Sequence, residues 1–81
     1  MEQYLATFHT HLAALRTSRT LTAAGLSARM MPVPRSVSSS CGTCVSYAAA
    51  EPMLSSMDED AESVYIVEGN SFRLLKSFEE E

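Results

Sequence analysis

Local signals for a strand, a capped helix and a second strand follow one another in the first part of the chain, and this order restricts the folds open to it. Residues 3–8 mix aromatic, aliphatic and β-branched side chains over the length of a strand. Apolar residues then recur at three- and four-residue steps over 11–24, between a capping Thr10 and a left-handed stop at Gly25. A second strand covers 26–33, and its prolines confine it to a sheet edge or to the strand's end.

The remainder of the chain predicts two more strands and a second helix. Residues 44–48 have strand character. From Met53 onward, apolar residues at helical spacing lie opposite a run of acidic residues, which predicts a helix that begins after Pro52. The β-branched and aromatic run at 63–67 also suits a strand, so this alternative stays open. The last strand covers 72–78.

The resulting order, β-α-β-β-α-β, is that of the ferredoxin-like fold. This α+β fold has a four-stranded antiparallel sheet with two helices on one face. We expect a single ferredoxin-like domain over 1–78, followed by an acidic tail at 79–81. In this topology, the junction of the first strand and first helix lies at the same end of the sheet as the hairpin that joins the second and third strands. The loop before the third strand is therefore expected beside His9, Thr10 and His11.

Both cysteines of the chain lie in or beside that polar loop. A thiol reacts as its thiolate, and Cys41 is flanked by small residues that leave room for a reaction partner. We expect the free amides of the first helical turn, Arg35 and protonated His9 or His11 to stabilise a sulfur anion there. Further hydroxyl and backbone N–H donors are expected from Ser39, Ser40 and Gly42.

The composition of the chain limits the classes of function that it can have. The chain has 81 residues, of which 46% are hydrophobic, as expected for one small folded domain. No apolar run approaches the roughly 18 residues that cross a bilayer. The N-terminus does not resemble a signal peptide, so we expect a cytoplasmic protein with reduced thiols and no membrane contact. Residues 1–50 hold four arginines against one glutamate, but no basic patch with interleaved aromatics, so nucleic-acid binding is not expected.

Several segments together resemble one family of small bacterial domains, the selenium/sulfur carrier-like family. They are Thr-Phe-His-Thr at 7–10, Ala-Leu at 14–15, Gly-Leu at 25–26, Arg-Met-Met-Pro-Val-Pro-Arg at 29–35 and Ser-Ser-Cys-Gly at 39–42. The resemblance implies that Cys41 carries sulfur or selenium as a persulfide-like adduct and exchanges it with a donor or acceptor protein. The chain departs from the family pattern at Cys44, where an aliphatic or small residue is expected, and at Ser18, where glutamate is frequent.

Two other chemistries use the same residues. Cys41 and Cys44 have the spacing of a dithiol redox module, although such pairs usually open a helix, whereas this one runs from a turn into a strand. Alternatively, both cysteines together with His9 and His11 form a small metal-binding or interaction site. Whether the protein is an enzyme stays open, and the leading interpretation requires no cofactor.

The predicted fold also has a consequence for assembly. A ferredoxin-like sheet leaves one face without helices, and an apolar uncovered face usually finds a partner. We therefore expect either a homodimer through this face or docking of a sulfur or selenium donor protein on it.

Overall fold

The computed structural model describes residues 1–78, and the predicted acidic tail at 79–81 lies outside them. One α-helix and five strands make up the described chain. In order these are β1 (Glu2–Phe8), α1 (His11–Ala23), β2 (Ser27–Pro32), β3 (Thr43–Ala49), β4 (Ala61–Glu68) and β5 (Ser71–Ser77), with a 3₁₀ turn at Leu54–Ser56 before β4. All strand pairs are antiparallel, and the sheet order is β2-β3-β1-β4-β5. No helix within 1–78 is long and apolar enough to cross a membrane.

The predicted strand–helix–strand unit is confirmed, including both ends of α1. The Thr10 hydroxyl accepts a hydrogen bond from the Ala13 amide at 3.0 Å, which satisfies one of the free N–H groups of the first turn. At the other end, Gly25 has a φ of +89°, a backbone conformation that glycine adopts without strain. The Leu26 amide then bonds back to the Leu21 carbonyl at 3.1 Å and closes the helix end.

β3 lies between β1 and β2 and pairs with both, as the sequence predicted for the third strand. Cys44 stands opposite Thr7 of β1 on one side and opposite Met31 of β2 on the other. The end of β1, the end of β2 and the start of β3 therefore meet at one end of the sheet. The β2–β3 loop and the β1–α1 junction are brought together there.

The predicted second helix is wrong, and with it the ferredoxin-like fold of two helices on four strands. Residues 61–68 form β4, which pairs with β1 on one side and β5 on the other. The β-branched and aromatic side chains at 63–67 favour an extended backbone, and both neighbouring strands satisfy its hydrogen bonds. Of the predicted helical segment, only the Leu54–Ser56 turn is helical. Gly69, with a φ of +62°, opens the tight turn between β4 and β5.

The two faces of the sheet carry separate apolar clusters. The cluster on the α1 side includes Phe8, Val45, Tyr47 and Val64, all of them inaccessible to solvent, together with apolar residues of α1. The cluster on the opposite face contains Leu5, Val37 and Cys44, with partly buried Met31, Val33, Tyr65 and Phe72 around them. Because Val37 belongs to the β2–β3 loop, that loop covers part of the face that carries no helix. A homodimer through this face stays a prediction.

The Thr10 cap leads to a stability prediction. Thr10→Ala removes the oxygen that accepts the Ala13 amide, and we expect the free energy of unfolding to fall by about 1 kcal/mol. Thr10→Ser keeps that oxygen and is the matched control, expected to lie within a few tenths of a kcal/mol of the wild type. Urea unfolding followed by circular dichroism measures both. Equal losses in the two variants would contradict the capping role.

Candidate functional site

The β2–β3 loop, residues 33–42, is folded back onto the sheet. At its base, the Val33 amide donates to the Gly42 carbonyl at 3.1 Å. Inside the loop, the Val37 amide donates to the Pro34 carbonyl at 3.1 Å and forms a tight turn. The Val37 side chain is buried against Leu5 and Cys44 on the face opposite α1. The loop is therefore held both by its own backbone and by apolar packing.

Two serines tie the loop to the strands beside it. The Ser39 hydroxyl donates to the Phe8 carbonyl at the end of β1, at 3.0 Å. Ser40 donates twice to the Glu62 carboxylate of β4, through its amide at 3.1 Å and through its hydroxyl at 2.6 Å. The Glu62 side chain is only 14% exposed, whereas Ser40 is exposed, so these charge-assisted hydrogen bonds lie at the surface with the carboxylate largely covered.

Both histidines lie beside the loop, as the predicted topology requires, but they contact different groups. His9 Nδ1 is 3.4 Å from a Glu62 carboxylate oxygen and 3.5 Å from the Ser40 hydroxyl. His11 Nδ1 is 3.4 Å from the Thr43 hydroxyl, on the first residue of β3. The imidazole of His9 therefore joins the Glu62–Ser40 contact, while that of His11 faces the start of β3.

Cys41 is partly buried and packs against the cluster on the α1 side. Its thiol lies 3.5 Å from the Thr43 carbonyl, to which it donates. Gly42, with a φ of +73°, lets the backbone turn from Cys41 into β3.

The donors expected around the sulfur are engaged elsewhere. The hydroxyls of Ser39 and Ser40 donate to a carbonyl and a carboxylate, and the Thr10 hydroxyl caps α1. Arg35 is exposed, and no ion pair or hydrogen bond involves it within residues 1–78. The loop thus brings most of the predicted residues together, while the hydroxyls of Ser39 and Ser40 bond to the neighbouring strands instead of to the Cys41 sulfur.

Cys44 occupies a different environment from Cys41. Its side chain is inaccessible to solvent and lies in the cluster opposite α1, where the thiol sits 3.8 Å from the Pro32 carbonyl. Burial raises the pKa of the Cys44 thiol to about 11, and the neighbouring Cys41 thiol adds to this in the same direction. Both cysteines are free thiols, and they pack into clusters on opposite faces of the sheet. This arrangement does not support the predicted dithiol pair.

The alternative metal site is not assembled either. Within 1–78, no group of three or more histidine, cysteine, aspartate or glutamate side chains is placed to hold a metal ion. Cys44 is buried on one face, His9 contacts Glu62, and His11 contacts Thr43. The four predicted ligands are therefore near one end of the sheet without converging on a point.

Glu62 is the site residue that the sequence analysis missed. The predicted second helix placed it on a solvated acidic face, whereas in the structure it belongs to β4 and reaches Ser40. The β-branched and aromatic run at 64–67, which begins two residues after Glu62, is the signal that places Glu62 at the start of a strand.

The buried Cys44 thiol makes stability depend on pH in a defined window. The unfolded chain releases this proton near pH 9 and the folded chain near pH 11. Between these values ionisation favours the unfolded state, so the thiol's contribution, about 2 kcal/mol, is present below pH 9 and lost as the pH rises toward 11. We measure the free energy of unfolding in urea from pH 8 to 11. In Cys44→Ala we expect this free energy to lack the decrease that the buried thiol causes in the wild type. Burial also raises the pKa of Tyr47, and the resulting pH dependence is the same in both proteins, so it cancels in the difference.

A comparison with known protein families covers all the residues of this site. The family model described as "Putative Se/S carrier protein-like" matches residues 3–62. That range runs from β1 to Glu62 and includes the β2–β3 loop with both cysteines. Neither a curated protein nor a solved structure matches the chain significantly. Because the family match covers more than half of the chain, the chain belongs to the Se/S carrier protein-like family.

Proposed function

We propose that the protein carries sulfur or selenium as a covalent adduct on Cys41 and exchanges it with donor and acceptor proteins in the cytoplasm. The observation that carries this proposal is the contrast between the two thiols. Cys41 is partly accessible in a loop, whereas Cys44 is sealed in an apolar cluster with its pKa raised to about 11. Together with the family membership, this contrast supports Cys41 as the residue that bears the cargo.

The transfer step needs no oxidant beyond the donor. The Cys41 thiolate attacks the outer sulfur of a persulfide on the donor protein, and a new S–S bond forms at Cys41. The donor's own S–S bond breaks, and its electron pair leaves on the donor thiolate. The total charge and the number of sulfur atoms are the same before and after the transfer. The reverse reaction with an acceptor thiolate unloads the carrier.

The position of Cys44 protects the loaded state. To discharge a Cys41 persulfide, Cys44 would have to attack the inner sulfur as a thiolate, releasing sulfide and leaving a disulfide. Burial keeps Cys44 protonated at neutral pH, and its side chain packs on the opposite face of the sheet. Both features favour a carrier with one active thiol over a dithiol redox module.

Intact mass spectrometry tests the proposal. The protein is purified without reductant, and a second sample is treated briefly with sodium tetrasulfide in the absence of air. We expect the wild type and Cys44→Ala to gain one sulfur or selenium atom, because Cys41 is intact in both. Cys41→Ser, which retains Cys44, is expected to gain none.

Two results would contradict the carrier role. The first is an adduct that persists in Cys41→Ser, which would show that a residue other than Cys41 carries the sulfur or selenium. The second is a loss of two hydrogens from the wild type, which would indicate a Cys41–Cys44 disulfide and support the dithiol module. Native spectra of the same samples report any bound metal.

A further inference from the structure

The contacts of Glu62 give this residue a role in the chemistry of the loop. We propose that Glu62 is a positioning residue that, through Ser40, holds Cys41 in place and, by its negative charge, restrains the reactivity of the Cys41 sulfur. The inference deepens the proposed function, since it rests on Cys41 being the nucleophile.

The strand pairing directs Glu62 toward the loop. Thr7 pairs with Ser63, but the next residue of β1, Phe8, pairs with Ala61. Glu62 is thus the extra residue of a β-bulge in β4. Bulges bend a strand locally and re-aim the side chain that they carry, and they are frequent beside functional sites. Here the re-aimed carboxylate meets both donors of Ser40.

The first effect of this contact is positional. Ser40 directly precedes Cys41, and its amide and its hydroxyl are both bonded to the same carboxylate. On the other side of Cys41, Gly42 is fixed by its bond from Val33. The cysteine therefore lies between two anchored residues, and one anchor comes from β4, a strand distant from the loop in sequence.

The second effect is electrostatic. The Glu62 carboxylate is bonded to the residue that directly precedes Cys41, and a negative charge beside a thiol disfavours the formation of a second anion. Glu62 also occupies the Ser40 N–H and O–H groups, which are among the donors expected to stabilise a thiolate. His9, from the β1–α1 junction, is an ionisable side chain in contact with this carboxylate, at 3.4 Å. When protonated, it offsets part of the negative charge.

The test measures the reactivity of Cys41 without loading any cargo. Alkylation by iodoacetamide is followed as a function of pH in the Cys44→Ala background, which leaves one thiol. Glu62→Gln keeps the shape and an acceptor for the Ser40 amide but removes the charge. We expect the midpoint of its pH–rate profile to fall by about half a pH unit and the rate at pH 7 to rise about threefold.

Glu59→Gln is the matched control. It makes the same change of charge at an exposed position three residues earlier, and no contact joins Glu59 to the loop within residues 1–78. Its profile is expected to coincide with that of the Cys44→Ala parent. A Glu62→Gln midpoint that coincides with that of Glu59→Gln, or that lies above it, overturns the proposal. Thermal unfolding of the two variants shows whether a difference in folding, rather than the charge, explains a change in rate.

This readout separates the inference from the function on which it rests. If Cys41 takes up no sulfur or selenium while the alkylation profile still shifts in Glu62→Gln, the carrier role fails and the role of Glu62 stands. If Cys41 is loaded but the profile does not shift, the carrier role stands and Glu62 is only a structural contact.

Discussion

The antiparallel pairing of β3 with both β1 and β2 is the constraint on which the rest of the structure depends. Because β3 runs between two parallel strands, the chain must cross from β1 to β2 over one face of the sheet, and α1 provides this crossover. It must then return from β2 to β3 through a loop at the C-terminal end of β2, opposite the end at which the chain arrives from α1. That loop, 33–42, is consequently placed beside the end of β1 and the start of α1, where Ser39 bonds to Phe8.

The alternation of side chains along a strand separates the two thiols. Cys44 belongs to β3, and in a strand successive side chains point to opposite faces. Val45 therefore joins the cluster under α1, and Cys44 joins the cluster on the other side. Cys41 precedes the strand and packs toward the α1 side. A Cys-x-x-Cys spacing that resembles a redox motif in the sequence thus becomes one loop thiol and one core thiol.

Sequence patterns are a reliable guide where several independent local signals agree. For α1, the apolar spacing, the Thr10 cap and the Gly25 stop all indicate the same element, and the structure contains it. For 53–68, apolar periodicity indicates a helix while β-propensity at 63–67 indicates a strand, and these signals conflict. The neighbouring strands decide between them: β1 and β5 supply hydrogen-bond partners for both edges of β4, which no local pattern contains. Because 61–68 is a strand, Glu62 contacts Ser40 of the β2–β3 loop instead of lying on the solvated face of a helix.

The sequence by itself determined the β1–α1–β2–β3 order, the loop that holds the reactive-cysteine candidate and the family to which the chain belongs. These features depend on short-range chemistry: capping, proline and glycine positions, and motif residues that are adjacent in the chain. Only the tertiary structure decided that Cys44 is buried, that the Ser40 donors face Glu62, and that β4 replaces the second helix. Burial and hydrogen-bond partners depend on residues far apart in sequence, whose contacts exist only once the sheet has formed.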